Sequence, residues 1–251
     1  MTRVALVTLI VTAAAWTASA QTSARPVLTP IQVASACAPP AVLDELPYDP
    51  LRVIGSQDPM GRSLFGNRDM LVIGGGTASG LQLGQEYFVR RTIAFGAGER
   101  APRPRTTRTL GWLRVVAVNE STAITTVDHS CGEIVTGDYL TPFMAPDVPP
   151  NAERDVTVGE PDFSSLGRIV AGDNDRTVVG MGDFVLIDRG SQQGVAPGTR
   201  FAIYRDIGIH GLPLTSVGEG VVTQIGAGLA QARITRTTDA VLSGDYIALR
   251  K

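Results

Sequence analysis

The sequence predicts an all-β protein made of two homologous small antiparallel β-barrel or sandwich domains in tandem. Two observations predict this architecture. Short segments rich in β-branched and aromatic residues, such as 184–187 and 200–204, alternate with Gly, Pro or Asp. The chain also repeats itself at a fixed offset, and no apolar stripe of helical period is sustained past Ala20. Helical bundles are therefore excluded.

Composition and charge narrow the class of protein further. The 251 residues include 28 Gly and 16 Pro without a Gly-x-y period or a low-complexity tract, which excludes collagen and general disorder. The net charge of −2 is unfavourable for a nucleic-acid binder. No apolar run approaching the ~20 residues of a membrane span occurs after the first segment. We expect neither nucleic-acid binding nor an internal membrane span.

Residues 1–20 have the three parts of a cleaved secretory signal. Arg3 supplies a positive charge, residues 4–16 are apolar, and Ala18-Ser19-Ala20 forms a small-x-small cleavage site. The apolar part is shorter than the ~20 residues that span a bilayer. The sequence thus predicts an exported protein of the periplasm or cell envelope.

The chain contains two similar copies. A shift of 114 residues superimposes the first copy on the second, and further along the best shift becomes 107, because one insertion of 7 residues lies between Arg91 and Gly111. Matching glycines at fixed spacing, with matching apolar residues between them, indicate a duplication. At the first offset, identical residues pair as Arg62 with Arg176, Gly66 with Gly180, Asp69 with Asp183, Ile73 with Ile187, Gly76 with Gly190, Gly80 with Gly194, Gly84 with Gly198, and Arg91 with Arg205. At the second offset they pair as Gly111 with Gly218, Val115 with Val222, Ala123 with Ala230, Gly137 with Gly244, Asp138 with Asp245, and Tyr139 with Tyr246.

The repeat and the prolines define the predicted domain organisation. Proline-rich stretches without apolar period indicate an irregular arm before the first copy and a semi-rigid extended linker between the copies. The predicted segments are a signal peptide at 1–20, an arm at 21–50, a first β-domain at 51–143, a linker at 144–163 and a second β-domain at 164–251.

Two cysteines remain in the exported chain, Cys37 in the arm and Cys131 in the first copy. An even pair in an oxidising compartment favours a disulfide over two free thiols. Because both cysteines are peculiar to the first half, the bridge would pin the arm onto the first domain. No spacing of Cys and His indicates zinc, and we expect no metal site and no cofactor.

The glycine-rich segment 73–80 resembles a phosphate-binding loop only superficially. A dinucleotide loop opens a helix, whereas a strand-like segment follows here, and the second copy keeps only Gly190 and Gly194. We expect these two glycines to supply positive φ in a loop between strands. Asp138 and Asp245 precede the last strand of each copy, where a carboxylate commonly accepts bonds from turn N–H groups.

Motifs for catalysis are missing from the sequence. The two histidines, His129 and His210, stand at non-equivalent places in the copies, and no serine-hydrolase or metalloprotease motif occurs. We therefore expect a protein that is not an enzyme. Paired carboxylates of a glycosidase stay open as an alternative, because their proximity depends on the fold.

One segment differs between the copies in charge. Seven arginines and one acid lie between Arg90 and Arg114, in a chain that is otherwise acidic. A solvated loop is one interpretation of this segment, and the other is binding of carboxylate or phosphate groups by guanidinium groups. The candidate binding residues are Arg100, Arg103, Arg105 and Arg108.

The second copy resembles the tandem β-rich region that follows LysM repeats in some bacterial envelope proteins, and less closely the C-terminal domain of flagellar assembly protein T. The resemblance lies in turn glycines and strand positions. The residues that carry it are Gly182, Asp183, Val185, Ile187, Gly190, Gly194, Val195, Pro197, Gly198, Phe201, Tyr204, Arg205, Gly218, Gly244 and Asp245. The first copy departs from this pattern at Arg68 and Leu83. No LysM sequence precedes the pair, so peptidoglycan binding is not part of what the resemblance implies.

These observations together predict an exported, non-catalytic scaffold or binding module of the cell envelope. Its expected partner is an envelope component: an anionic polymer, a lipid head group or a protein. A hydrolase of cell-wall polymer, and an accessory component of a flagellar or other surface assembly, are the alternatives.

Overall fold

Strands make up nearly all of the regular structure, which confirms the predicted all-β class. The structure is a computed structural model that describes residues 27–41, 50–58, 61–94, 105–173 and 176–251. The predicted signal peptide lies outside these residues. Fourteen strands and one α-helix form the described part of the chain. No helix in that part has the length and the apolar character needed to cross a membrane.

The first unit, residues 51–143, is a curled antiparallel sheet of six strands. Its strands are β1 (Val53–Ser56), β2 (Met70–Gly74), β3 (Glu86–Ala94), β4 (Arg105–Val118), β5 (Thr122–Ser130) and β6 (Tyr139–Pro142). They are ordered β1-β2-β5-β4-β3-β6. The two edge strands approach each other, and an isolated bridge between Arg52 and Tyr139 joins them. The sheet therefore curls most of the way toward a barrel.

The second unit, residues 164–251, is a closed antiparallel barrel. Its strands are β7 (Gly167–Gly172), β8 (Val178–Val179), β9 (Phe184–Ile187), β10 (Arg200–Arg205), β11 (Thr215–Ile225), β12 (Ala230–Thr237), β13 (Val241–Leu242) and β14 (Tyr246–Leu249). The barrel follows the order β10-β11-β12-β9-β7-β14, and β8 pairs with β13 in a separate two-stranded sheet. Closure leaves this barrel without the free sheet edges that promote aggregation.

Elements of the two units recur at the offsets seen in the sequence. The 3₁₀ turns at Thr77–Ser79 and Ser191–Gln193 lie 114 residues apart, and β6 and β14 lie 107 residues apart. The insertion between Arg91 and Gly111 was expected in a loop. Instead, β3 and β4 have 9 and 14 residues where β10 and β11 have 6 and 11, so the inserted residues also lengthen this β-hairpin.

Each unit surrounds its own apolar core. Buried residues alternate with partly exposed ones along β5 of the first unit, whereas all four residues of β9 in the second unit are buried. In the first unit the buried cluster includes Val53, Phe65, Leu71, Ile73, Leu81, Val89, Leu110, Leu113, Val115, Ala123, Val127, Ile134 and Leu140. In the second unit it includes Ile169, Val185, Ile187, Val195, Phe201, Ile203, Val217, Val222, Ala232, Ile234 and Ile247. The strand pairing thus positions two separate cores along the chain.

The matched glycines play two different roles. Gly80 and Gly194 have φ of 76° and 75°, so the expectation of positive φ is confirmed there. Gly76 and Gly190 have negative φ, and the same expectation is wrong for them. A Cβ at Gly190 would lie 2.5 Å from the Ala227 carbonyl oxygen, so the loop there requires close approach of two backbones.

The arm contains a short helix, α1 (Pro30–Cys37), which corrects the expectation of an irregular arm. Thr29 caps it: the Thr29 side chain accepts from the Gln32 backbone N–H, and the Gln32 side chain accepts from the Thr29 backbone N–H. Pro30 occupies the first helical position, where its missing N–H leaves no hydrogen bond unmade. The arm thus contains a capping box, which marks the start of a helix, although its prolines predict irregular structure.

The linker follows the surface of the second unit instead of spanning open solvent. Ala152 is fully buried, and the Arg200 guanidinium donates to the carbonyl oxygens of Asn151 and Arg154, each at 3.0 Å. Pro161 forms an isolated bridge with Arg250. The second half of the predicted linker thus packs as part of the barrel's outer layer.

Candidate functional site

The arginines that the sequence predicts as anion-binding residues do not form one site within the described residues. Arg100 and Arg103 lie outside the described residues, and Arg105 begins β4. Arg108 lies within β4, opposite Arg91 of β3, and its half-buried guanidinium approaches Gly132. Anion binding by these arginines stays a prediction.

The matched aspartates act in matched ion pairs. The Asp138 carboxylate accepts two hydrogen bonds from Arg91, at 2.7 and 2.8 Å, and one from the Val135 N–H at 2.8 Å. Asp245 accepts in the same way from Arg205. The hydrogen bond to its aspartate raises the pKa of each arginine. Both aspartates therefore fix the turn before the last strand, as expected from their position.

The outer face of the first unit carries an aromatic cluster that lies under the arm. Phe88 and Phe143 contact each other with ring centroids 4.7 Å apart, and Trp112 stacks on His129 at 4.5 Å. Ala36 of α1 packs against Phe88 and Trp112. This burial lowers the pKa of His129, which favours its neutral form.

A disulfide between Cys37 and Cys131 fastens the arm to this face, as predicted. The bridge joins the last residue of α1 to the residue that follows β5. His129 lies beside it, so the structure groups two sulfurs and one imidazole that the sequence spacing did not indicate as metal ligands. Both sulfurs are occupied by the disulfide bond.

The same arm also binds the second unit. The Ser35 hydroxyl donates to the Gln231 side-chain oxygen at 2.8 Å, and the Gln231 amide donates to the carbonyl oxygens of Ser35 and Pro39 at 3.2 and 3.0 Å. Gln224 donates to the Ser35 hydroxyl at 3.1 Å. Because Gln231 is fully buried, these bonds are shielded from water and hold arm and barrel together.

A cleft of about 530 Å³ opens where the arm, the first unit and the second unit meet. Its walls are mostly apolar, with a few polar groups directed into it, as is common for small-molecule sites. The lining residues are Ser35, Ala36, Ala38, Pro40, Phe88, Arg90, Thr109, Thr141, Pro142, Met144, Ala145, Pro146, Asp147, Gln224 and Gln231.

Arg90 is the unusual residue of this cleft. Its guanidinium makes no hydrogen bond or ion pair with any described residue, and its Nε is buried. The guanidinium carbon lies 4.8 Å from the centre of the Phe88 ring. Burial lowers the pKa of Arg90, yet an arginine stays charged near neutral pH. A cation that has an aromatic contact but no ion pair among the described residues is suited to receive an anion.

Further polar groups surround Arg90. The buried Thr141 hydroxyl oxygen has no hydrogen-bond partner among the described residues, and Thr109 lies opposite Arg90 on β4. Asp147 also lines the cleft, and no ion pair joins it to Arg90. The cleft therefore presents one cation and a hydroxyl that can both donate to an oxygen of a ligand.

Among its described residues, the second unit has no equivalent of this site. The offset aligns Arg90 with Tyr204, whose ring packs on Phe163 at 5.0 Å. The second offset, of 107 residues, aligns Trp112 and Phe143 with Glu219 and Arg250, which form an ion pair under the linker at 2.8 Å. The two units thus share a core pattern and differ in the chemistry of their outer faces. No sequence signal separates Arg90 from Arg108 and Arg114, which also lack an arginine counterpart in the second copy.

The buried carboxylates of the described residues are all held by arginine. Asp138 and Asp245 bind one arginine each, and Glu219 binds Arg236 and Arg250. Each of these three carboxylates thus accepts charge-assisted hydrogen bonds from a guanidinium. Within the described residues, none of these three buried carboxylates lacks an arginine partner, so they do not form the pair of free carboxylates of a glycosidase.

Comparison with known proteins does not identify a family for this chain. No protein-family model matches the chain, and no curated protein matches it. The resemblance to envelope and flagellar modules therefore stays an expectation from the sequence.

Proposed function

We propose that this protein is an exported, non-catalytic binding module of the cell envelope, and that it holds a carboxylate or phosphate group of an anionic envelope polymer in the cleft at Arg90. The observation that carries the proposal is the Arg90 guanidinium, which lies partly buried without an ion pair or hydrogen bond from the described residues. The predicted signal at 1–20 and the Cys37–Cys131 disulfide support export to an oxidising compartment.

The burial of Arg90 raises the free energy of the unliganded protein. The buried Nε of Arg90 has no hydrogen bond, which costs free energy in the folded state, and the contact with the Phe88 ring offsets part of that cost. An apolar side chain at this position would avoid the cost. An incoming anion would supply the missing partner and would form charge-assisted hydrogen bonds in an apolar setting. Binding strength and a small loss of stability therefore come from the same residue.

The test uses the Arg90→Met variant, which keeps most of the side chain's volume and removes its charge. We expect its binding to purified anionic envelope polymer to weaken at least tenfold, equivalent to about 1.4 kcal/mol. We also expect its melting temperature to rise by about 2–4 °C for each 1 kcal/mol of relieved desolvation. Co-sedimentation and thermal melting measure the two effects.

Two control variants separate the cleft from other arginines. Arg154→Met changes an exposed arginine of the linker and should leave binding and melting unchanged. Changing Arg100, Arg103, Arg105 and Arg108 together to Ser tests the arginine segment predicted from the sequence. Loss of binding in the fourfold variant, with normal binding by Arg90→Met, would move the site to that segment and reject the cleft.

A further inference from the structure

Cys37, Cys131 and His129 form a cluster that the proposed function does not use. The two sulfur atoms and one ring nitrogen all lie within 4.8 Å of one another. Three separate elements bring them together: the end of α1, strand β5 and the turn that follows it. Two thiolates and an imidazole are the ligands that Zn²⁺ and other soft cations prefer.

The surroundings of His129 limit the directions in which its ring can point. The ring stacks on Trp112 with an angle of 19° between the planes, and the disulfide that joins Cys37 to Cys131 lies beside it. The second unit has Arg236 and Thr238 at the positions of His129 and Cys131, so the cluster belongs to the first unit alone. A fixed imidazole beside two sulfurs is a preformed part of a metal site.

We propose that the reduced protein binds one Zn²⁺ through the thiolates of Cys37 and Cys131 and the imidazole of His129, with water as the fourth ligand. Ligand bonds of about 2.3 Å to sulfur and 2.0 Å to nitrogen require the two sulfurs to separate to roughly 3.8 Å. Both sulfurs already lie within 4.8 Å of the ring nitrogen, so the main movement that ligation requires is the separation of the two sulfurs. The site is thus within reach once the disulfide opens.

Two chemical steps convert the disulfide into the zinc site. A dithiol reductant supplies two electrons by thiol–disulfide exchange: its two thiols become a disulfide, and Cys37 and Cys131 become thiols. Zn²⁺ then displaces one proton from each thiol, and two Zn–S bonds form. The arm is fastened to the first unit in both states, by a covalent bond in one and by the metal in the other.

The experiment titrates the full chain with Zn²⁺ in competition with a chromophoric chelator. The disulfide is opened with a phosphine, which takes up the oxygen of one water as the two hydrogens pass to the sulfurs, and the phosphine is removed without oxygen. We expect one Zn²⁺ per reduced chain, none per oxidised chain, and a change in Trp112 fluorescence as His129 is ligated. Far-UV circular dichroism of the reduced chain reports whether it stays folded.

Two histidine variants test whether His129 is a zinc ligand. His129→Ala should weaken zinc affinity of the reduced chain at least tenfold, whereas His210→Ala, which changes the exposed histidine of the second unit, should leave it unchanged. Zinc binding that is equal in both variants, or that is absent from the reduced chain, would overturn the proposal. Loss of folded structure on reduction, with zinc bound independently of His129, would overturn it as well.

Discussion

At the scale of single residues, the matched ion pairs explain why the two copies keep the same arginine and aspartate. Arg91 with Asp138, and Arg205 with Asp245, each hold the turn that leads into the last strand. A bidentate guanidinium fixes the carboxylate's orientation as well as its charge. The carboxylate can then accept the turn N–H, which would otherwise lack a partner.

Replacing either aspartate by asparagine should destabilise the fold. The change leaves an arginine facing an amide, and we expect a loss of about 2–3 kcal/mol in the free energy of unfolding. Asp245→Asn should cost more than Asp138→Asn, because the Arg205 side chain is 20% exposed and that of Arg91 is 36% exposed. Urea denaturation measures both values. Equal, near-zero losses would show that the pairs are only surface contacts.

At the scale of elements, the loop that carries the 3₁₀ turn depends on close backbone approach. Gly76 and Gly190 lie against the backbone of the loop that follows β4 and β11, respectively. The N–H groups of the turn donate into that loop, for example from Ser191 to the Gly226 carbonyl oxygen at 3.0 Å. A side chain at either glycine would separate the two loops and break these bonds.

Alanine substitutions should separate the two glycine roles. Gly190→Ala places a Cβ 2.5 Å from a backbone oxygen, and we expect it to destabilise the second unit by more than about 2 kcal/mol. Gly194→Ala meets open space but keeps a positive φ, and about 1–2 kcal/mol is expected. Thermal melting compares them. A larger loss for Gly194→Ala would contradict the assignment of close approach to Gly190.

At the scale of the whole molecule, the arm and the linker join the two units through different contacts. The arm is bonded to the first unit by a disulfide and to the barrel by buried hydrogen bonds of Gln231. The linker covers Arg200 and Glu219 on another part of the barrel. The proposed anion site lies where the arm meets both units.

A fragment that begins at residue 164 should fold cooperatively, because the whole barrel lies inside it. A fragment that begins at residue 150 should melt at a higher temperature, because the linker returns two carbonyl acceptors to Arg200 and the Thr157 hydroxyl to Glu219. Circular dichroism melting compares the fragments. An unfolded shorter fragment would show that the linker belongs to the barrel's folding unit.

The sequence predicted the features that depend on local pattern. Apolar strand segments and turn aspartates are each written within a few neighbouring residues, as in residues 183–187, and the repeat is visible when two stretches are compared at a fixed offset. The disulfide was predicted because only one pairing exists for Cys37 and Cys131. The capping residues of α1 are also a local pattern, but the surrounding prolines caused the arm to be predicted as irregular.

The candidate site could not be predicted in the same way. Arg90 is one of several neighbouring arginines, and only packing under the arm separates it from hydrogen-bond partners. Gly190 differs from Gly194 because a distant backbone approaches it, which periodicity does not report. His129 lies beside the disulfide because α1 docks on the sheet there. Each of these depends on contacts between segments far apart in the chain.

The position of the disulfide has a mechanical consequence. Tension applied from residue 27 passes along α1 to Cys37 and crosses directly to Cys131 in the first unit. The residues that follow, including Pro39 on the barrel, lie beyond this crossing and carry none of that load. A pull on the chain before α1 is therefore passed to the first unit by a covalent bond at Cys37, whereas the Ser35 hydrogen bonds to Gln231 and Gln224 lie before this crossing and are loaded first.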